Sequence, residues 1–263
     1  MQPKGNQLAV DRIRELRQTT CPIAIQLRST VDSTNAWAKR VPAASDSPMQ
    51  AFLAEQQTAG YGKRQRAFFS PAFQGVYLTV RTAVTAPVNP GRLTTAVGIM
   101  VVRCLAATYP KQTFQLKWVN DILLHQRKCG GILIENLLDR QEVLIGIGLN
   151  VTTRFSTELA NKATSIVGGN WVDRNVLVAG LLDELVMGLP HYQDAQFLAD
   201  YQQLCTTLGQ AVRVQVGPDW VQGVAVTLTD QGALVIQLAS GERRIVASSE
   251  AIKVMTPVGD YRG

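Results

Sequence analysis

Apolar and polar positions alternate in short runs along this chain, and the runs predict a sheet interleaved with helices. Ile23 to Leu27 alternates, Ala51 to Ala54 is an unbroken apolar stretch, and Gly75 to Val80 has the same strand-like texture. Between the first two, Asp32 or Ser33 can cap a helix running through Trp37 to Lys39. Thr94 to Thr108 carries apolar residues at helical spacing with small residues among them, which suits packing on a sheet. Leu116 to Trp118, Ile122 to Leu124 and Ile132 to Ile134 read as buried strands, with a polar hairpin around His125 to Arg127 joining the last two. Val143 to Leu149 adds a strand, the polar stretch Thr152 to Gly169 a loop, and Asp173 to Leu189 and Ala195 to Leu208 two helices.

Around Gly209 the texture changes. Val212 to Val216, Val221 to Leu228, Ala233 to Leu238 and Arg244 to Val246 are short alternating strands separated by Gly-Pro, Asp-Gln-Gly and Ser-Gly turns, the pattern of a small β-barrel. Residues 1–20 predict a short amphipathic helix around Leu8, Ile13 and Leu16. The expected organisation is thus an N-terminal segment (1–20), a main domain (21–208) and a C-terminal unit (209–263). Its class is α/β of the α+β type: a mixed β-sheet with packed helices, then a barrel. No internal repeat or low-complexity segment interrupts it.

With 263 residues, 46% of them hydrophobic, the chain can bury a full core. No stretch approaches the ~20 apolar residues that span a bilayer. Met1 to Gly5 leads into a polar, basic segment rather than a signal core. A cytoplasmic protein with no membrane partner is expected. The net charge of +6 favours anionic partners through long-range steering. Of the basic clusters, Arg12-Arg14-Arg17 and Arg243-Arg244 read as solvated faces; Lys63-Arg64-Arg66 and Arg127-Lys128 remain candidates. The four cysteines are widely spaced and read as reduced thiols. Two histidines, His125 and His191, are too few for a Ser-His triad or a histidine-rich metal site, and no Walker phosphate loop is present.

Charge collects where a core should be. Lys117, Asp121 and Lys128 sit at the ends of predicted buried strands, and an unpaired charge there is costly. Two lysines, one aspartate and the pair Gly130-Gly131, which lets backbone approach a ligand closely, suggest a phosphate site. Three blander readings stay open: a structural Lys117–Asp121 ion pair, a Lys128 that merely reaches solvent, and Cys129 as either an activated thiol or a small buried residue.

Lys117-Trp118-Val119-Asn120-Asp121, a hydrophobic stretch, then Lys128-Cys129-Gly130-Gly131-Ile132-Leu133-Ile134-Glu135 resembles the catalytic core of the biotin protein ligase family, with Val119 where that family has proline. Further matches follow in order: Asp32-Ser33-Thr34-Asn35, Ala54 to Arg66, Gly146 to Val151 and Ala163 to Ile166. The resemblance implies an α/β catalytic domain with an SH3-like C-terminal barrel. It implies joining of biotin and ATP to biotinyl-5′-AMP with Mg2+, then transfer to a lysine of a biotin carboxyl carrier protein.

It also implies roles. Lys128 would lie between carboxylate and α-phosphate, Lys117 would serve the outer phosphates, and Asp121 with Asn120 would help position magnesium. Ser33, Thr34, Asn35 and Gln57 match the contacts to biotin's ureido ring, although Ser33 to Asn35 read equally well as a helix cap. Gly60, Tyr61, Gly62, Lys63 and Gly131 join Lys128 around biotin. Lys63, Arg64, Arg66, Trp118, Asn120 and Asn150 fall on the adenylate side, with Trp118 also readable as a pocket wall or a structural residue. The loop Gly60 to Arg66 departs from the usual Gly-Arg-Gly-Arg-x-Gly-Arg at Tyr61, Lys63 and Gln65, which puts tight retention of the adenylate in doubt.

The rival readings are a lipoate or octanoate ligase or transferase of the same fold, a nucleic-acid-binding regulator, and a non-catalytic biotin binder. Residues 1–20 are too few for a helix-turn-helix domain, so no specific nucleic-acid partner is expected. A homodimer is left open.

Overall fold

The computed structural model describes residues 7–42, 47–84, 88–167, 173–247, 251–255 and 261–262. Met1 to Gly5 and the last two residues of the 152–169 stretch lie outside them. Helix α1 (Val10–Leu16) precedes strand β1 (Ile23–Val31), helix α2 (Thr34–Arg40) and strands β2 (Met49–Gln57) and β3 (Gly75–Ala83). Helix α3 (Pro90–Thr108) leads to β4 (Phe114–Lys117), β5 (Asp121–Leu124), β6 (Arg127–Leu137) and β7 (Glu142–Asn150). Helices α4 (Thr157–Ala160), α5 (Arg174–Gly188) and α6 (Ala195–Leu204) follow. Strands β8 (Ala211–Val216), β9 (Asp219–Leu228), β10 (Leu234–Gln237), β11 (Arg243–Val246), β12 (Ala251–Met255) and β13 (Tyr261–Arg262) complete the chain.

Strands β1 to β7 form one mixed sheet in the order β1-β2-β3-β7-β6-β5-β4, with β1 parallel to β2 and every other pair antiparallel. Helices α3, α5 and α6 cover one face, where Leu93, Ile99, Leu181 and Leu182 are buried with Ile145, Ile147 and Leu149 of β7. Asn89 caps α3 by accepting from the Arg92 backbone N–H, and Pro90 fits its first turn, where no N–H is needed. This 19-residue helix is apolar enough to cross a membrane, contrary to the expectation that no stretch approaches that length. Its apolar residues instead fill the core, most of the helix being buried. The other sheet face is covered only in part, by α2, whose Trp37 meets Phe52 edge to face at 5.1 Å. The rest of that face is left for a site.

The N-terminal segment is packed into the body. Leu8 and Ile13 are buried, and Glu55 accepts from the Leu8 N–H (2.7 Å) while pairing with Arg174 at 2.6 Å. Beyond residue 209, the strands form an antiparallel sheet ordered β11-β10-β9-β8-β12-β13. The expected barrel is not closed by a β11–β13 pair among the described residues, and β12 is a strand the pattern did not predict. This sheet is tied to the main one through Trp118, whose indole N–H donates to the Gly232 carbonyl and whose backbone N–H donates to Thr207 Oγ1, both at 3.0 Å.

Candidate active site

Strand register builds the site. Pairing places Lys117 (β4) opposite Asp121 (β5), Asp121 opposite Gly131 (β6), Gly131 opposite Gly148 (β7), and Gly148 opposite Tyr77 (β3). Since side chains alternate between faces, these residues form a row across five strands on the face that α2 leaves open. The next row on that face runs Leu133, Gly146, Thr79, Phe52. The glycines leave a floor without side chains, and three groups descend onto it. A Cβ on Gly131 would meet the Lys128 side chain at 3.3 Å; one on Gly148 would run into the Phe68 ring, and one on Gly146 into the Asn35 amide. A cavity of about 250 Å³ remains above this floor.

At one end stand the start of α2 and the end of β2. Ser33, Thr34, Asn35 and Gln57 all line the cavity. The Ser33 hydroxyl makes no capping hydrogen bond, which removes helix capping as its role. Gln57 Oε1 accepts from the Thr34 N–H (2.9 Å) and hydroxyl (3.2 Å), and its Nε2 donates to Ser70 Oγ at 2.8 Å. Beneath them Thr79 Oγ1 donates to Asn35 Oδ1 (2.5 Å) and lies 2.8 Å from Thr34 Oγ1, a buried network that fixes both side chains. Asp32 faces away: a two-point contact with Arg40 at 2.7 and 2.8 Å drives its carboxyl down to about 2.

At the other end are the charged residues. Lys128 Nζ lies 2.5 Å from Asp121 Oδ1, so the ion pair is Lys128–Asp121, not the structural Lys117–Asp121 pair held open on the sequence. Backbone bonds hold Lys128 in place: its N–H donates to Lys162 O (3.0 Å) and its carbonyl accepts from Thr164 N (2.8 Å). The Ala163 to Ile166 segment therefore clamps the lysine. Burial, with Lys128 adding to it, lowers the Lys117 amine below the ordinary lysine value, against the pull of Asp121. Asn120 donates to the Ile132 carbonyl at 3.1 Å, and Trp118 borders the cavity while its indole N–H is fixed to the C-terminal sheet. Cys129 is buried and its thiol is pushed up to about 12, so it is a packing residue and not an activated thiol.

The 60–66 loop forms the roof. Gly62, Lys63, Arg64 and Arg66 line the cavity, and burial followed by the charges of Arg64 and Arg66 lowers the Lys63 amine. Gly60 does not line it; a Cβ there would strike Gln57, Ser70 and the Phe68 carbonyl, so it makes the turn behind Gln57. Asn150 does not line the cavity either: it is buried, and its carbonyl accepts from Ile166 N at the covered end of β7. Phe68 and, on β12, Ile252 and Lys253 line the cavity and were not foreseen, nor was Thr79 beneath Thr34 and Asn35. Thr79 and Phe68 act through partners distant in sequence, and no local pattern marks them. Among the described residues Asp121 is the lone carboxylate lining the cavity, and no group of three or more His, Cys, Asp or Glu is placed to hold a metal ion.

Residues 27–151 match the Biotin/lipoate A/B protein ligase family, and residues 207–254 match the biotin protein ligase C terminal domain. A biotin–[acetyl-CoA-carboxylase] ligase of Mycobacterium tuberculosis is 36% identical over 228 residues, covering 82% of this chain and 84% of that protein. The chain belongs to the biotin protein ligase family. A biotin protein ligase from Aquifex aeolicus, solved in complex with biotin and ATP, superposes with a TM-score of 0.73 at 25% identity, covering 88% of this chain and 99% of that one. The bifunctional ligase/repressor BirA of Escherichia coli is 29% identical over 203 residues, 71% of this chain and 61% of its own length. The chain thus spans less than two thirds of that repressor. In this biotin protein ligase family member the fold places polar side chains at one end of a glycine floor and cations at the other.

Proposed function

We propose that this ligase condenses biotin with ATP to biotinyl-5′-AMP and pyrophosphate, then passes the biotinyl group to a lysine of a biotin carboxyl carrier protein in the cytoplasm. The observation that carries the reading is the row Lys117, Asp121, Gly131, Gly148, with Lys128 laid over Gly131. It supplies cations above a floor that backbone alone makes. The ring end of biotin fits against Ser33, Thr34 and Gln57, whose hydroxyl and amide groups can both donate and accept, as a buried urea requires. Its carboxylate then points to Lys128.

In the first half-reaction a biotin carboxylate oxygen attacks the α-phosphorus, a new O–P bond forms, and the bond to pyrophosphate breaks. Both reactants are anions, so alignment and fixed positive charge supply the catalysis. Lys128 stabilises the charge on the α-phosphate, while Lys117, Lys63 and Lys253 surround the remaining phosphates. Magnesium binds through few carboxylates together with nucleotide phosphates, which fits a cavity whose described lining offers the carboxylate Asp121; when bound it would neutralise phosphate charge. In the second half-reaction the acceptor lysine's amine attacks the acyl carbon, AMP leaves, and the amine loses a proton. A mixed anhydride hydrolyses readily, so the 60–66 loop also serves to keep water out.

A lipoate or octanoate substrate is the second reading, disfavoured by the match of residues 207–254 to the biotin-type C-terminal domain. Incubation with ATP, biotin and a biotin carboxyl carrier domain tests the proposal by intact mass. The acceptor should gain one biotinyl group, and a carrier with its target lysine changed to arginine should gain none.

A further inference from the structure

We propose that Tyr61 is a positioning residue that holds the first arm of the 60–66 loop over the cavity before any ligand binds, acting through Lys39 and Glu135. The inference deepens the reading of this cavity as the biotin and adenylate site. The Tyr61 hydroxyl donates to Glu135 Oε2 at 3.2 Å and accepts from Lys39 Nζ at 3.3 Å. Lys39 also meets Glu135 Oε1 at 2.7 Å, and Glu135 Oε2 accepts from Asn35 Nδ2 at 2.7 Å. Lys39 and Asn35 lie one turn apart on α2, and Glu135 sits on β6 facing them, so a loop residue is tied to two fixed elements and to a cavity-lining side chain.

The chemistry suits a tyrosine in particular. A hydroxyl both donates and accepts, whereas a guanidinium only donates and would add a second cation beside Lys39. Burial and the nearby Glu135 carboxylate push the tyrosine upward, so it stays neutral. The arm is a hairpin below this tie: Phe68 N donates to Gly60 O and Gly62 N to Arg66 O, both at 2.8 Å. The turn beyond the tie carries Arg64 and Gln65 at φ 59°, a left-handed conformation unusual for such residues. Lys63, Arg64 and Arg66 in that turn are trypsin sites, which makes the loop's closure directly readable.

The test is Tyr61→Phe in the full chain, which keeps the ring and deletes the hydroxyl. In the ligand-free protein, trypsin should cut after Lys63, Arg64 and Arg66 at least about fivefold faster than in the parent, and saturating biotin should restore protection. In pyrophosphate exchange the loss should fall on kcat/KM for biotin more than on kcat, by about tenfold, as for one hydrogen bond to a charged group. Lys39→Met removes the other half of the tie and should raise cleavage at the same three positions. Unchanged ligand-free cleavage in either variant, or a fall in kcat with KM for biotin unmoved, overturns the proposal. The trypsin readout uses no ligand, so absence of biotin-dependent exchange in the parent would sink the functional reading without touching the tether.

Discussion

Replacing Lys128 with alanine removes the cation assigned to the α-phosphate, and the structure separates its effect on rate from its effect on stability. The Lys128 and Asp121 side chains are 35% and 27% exposed, so solvent screens their pair, and such pairs contribute at most about 1 kcal/mol to folding. The backbone bonds from Lys162 and Thr164 do not depend on the side chain. Losing one preorganised donor to a developing charge costs about 2.7–4 kcal/mol in activation energy, or roughly a hundred- to a thousandfold in rate. The variant should therefore melt close to the parent while forming adenylate at least about a hundredfold more slowly. Quench-flow measurement of single-turnover biotinyl-AMP formation, at saturating biotin and MgATP, reads the rate, and a thermal melt reads the fold. A rate within about fivefold of the parent, with an unchanged melt, would remove Lys128 from the chemistry.

Lys63→Arg restores a planar fork at a cavity-lining position and should slow biotinyl-AMP release by about tenfold in stopped-flow fluorescence; equal release would mean the point charge already suffices. Glu55→Gln leaves the Arg174 guanidinium, 1% exposed, without its carboxylate, and should lower stability by about 3–5 kcal/mol in urea unfolding; a loss under about 1 kcal/mol would contradict the pair's role. Lys117 has a folded-state value below the ordinary 10.5, so it loses its charge at lower pH than an exposed lysine. The alkaline limb of kcat/KM for ATP should accordingly lie below 10.5 and move up in Lys117→Arg, whereas a limb that stays put would free Lys117 from phosphate binding. The stability sign is opposite: the unfolded chain holds that proton longer, so Lys117's destabilising contribution shrinks as pH rises through its folded value.

The charged end of the site was legible because its signals are local. Lys117, Asp121, Lys128 and Gly131 stand on three successive strands joined by tight turns, so apolar patterning alone brought them together. The Lys128–Asp121 pairing was not legible, since register sets Lys117 opposite Asp121 while the length of the Lys128 side chain carries it over Gly131 to the same carboxylate. Asn150 was named from the resemblance of Gly146 to Val151; it shares strand parity with Gly146 and Gly148, but the segment around Ile166 covers that end of β7. The Tyr61–Lys39–Glu135 group spans 74 residues between loop and β6, and nothing in the local pattern of any of the three announces it. Lys253 needed β12, a strand that lies far along the chain from the core motifs and has no matched motif of its own.

The most direct test of the account is isotope exchange between pyrophosphate and ATP, run with biotin, lipoate, octanoate or no acid. Carboxylate adenylation at this cavity predicts exchange that needs magnesium and biotin together and that lipoate and octanoate do not support. Exchange driven by lipoate or octanoate but not biotin, or no exchange with any acid, would contradict it.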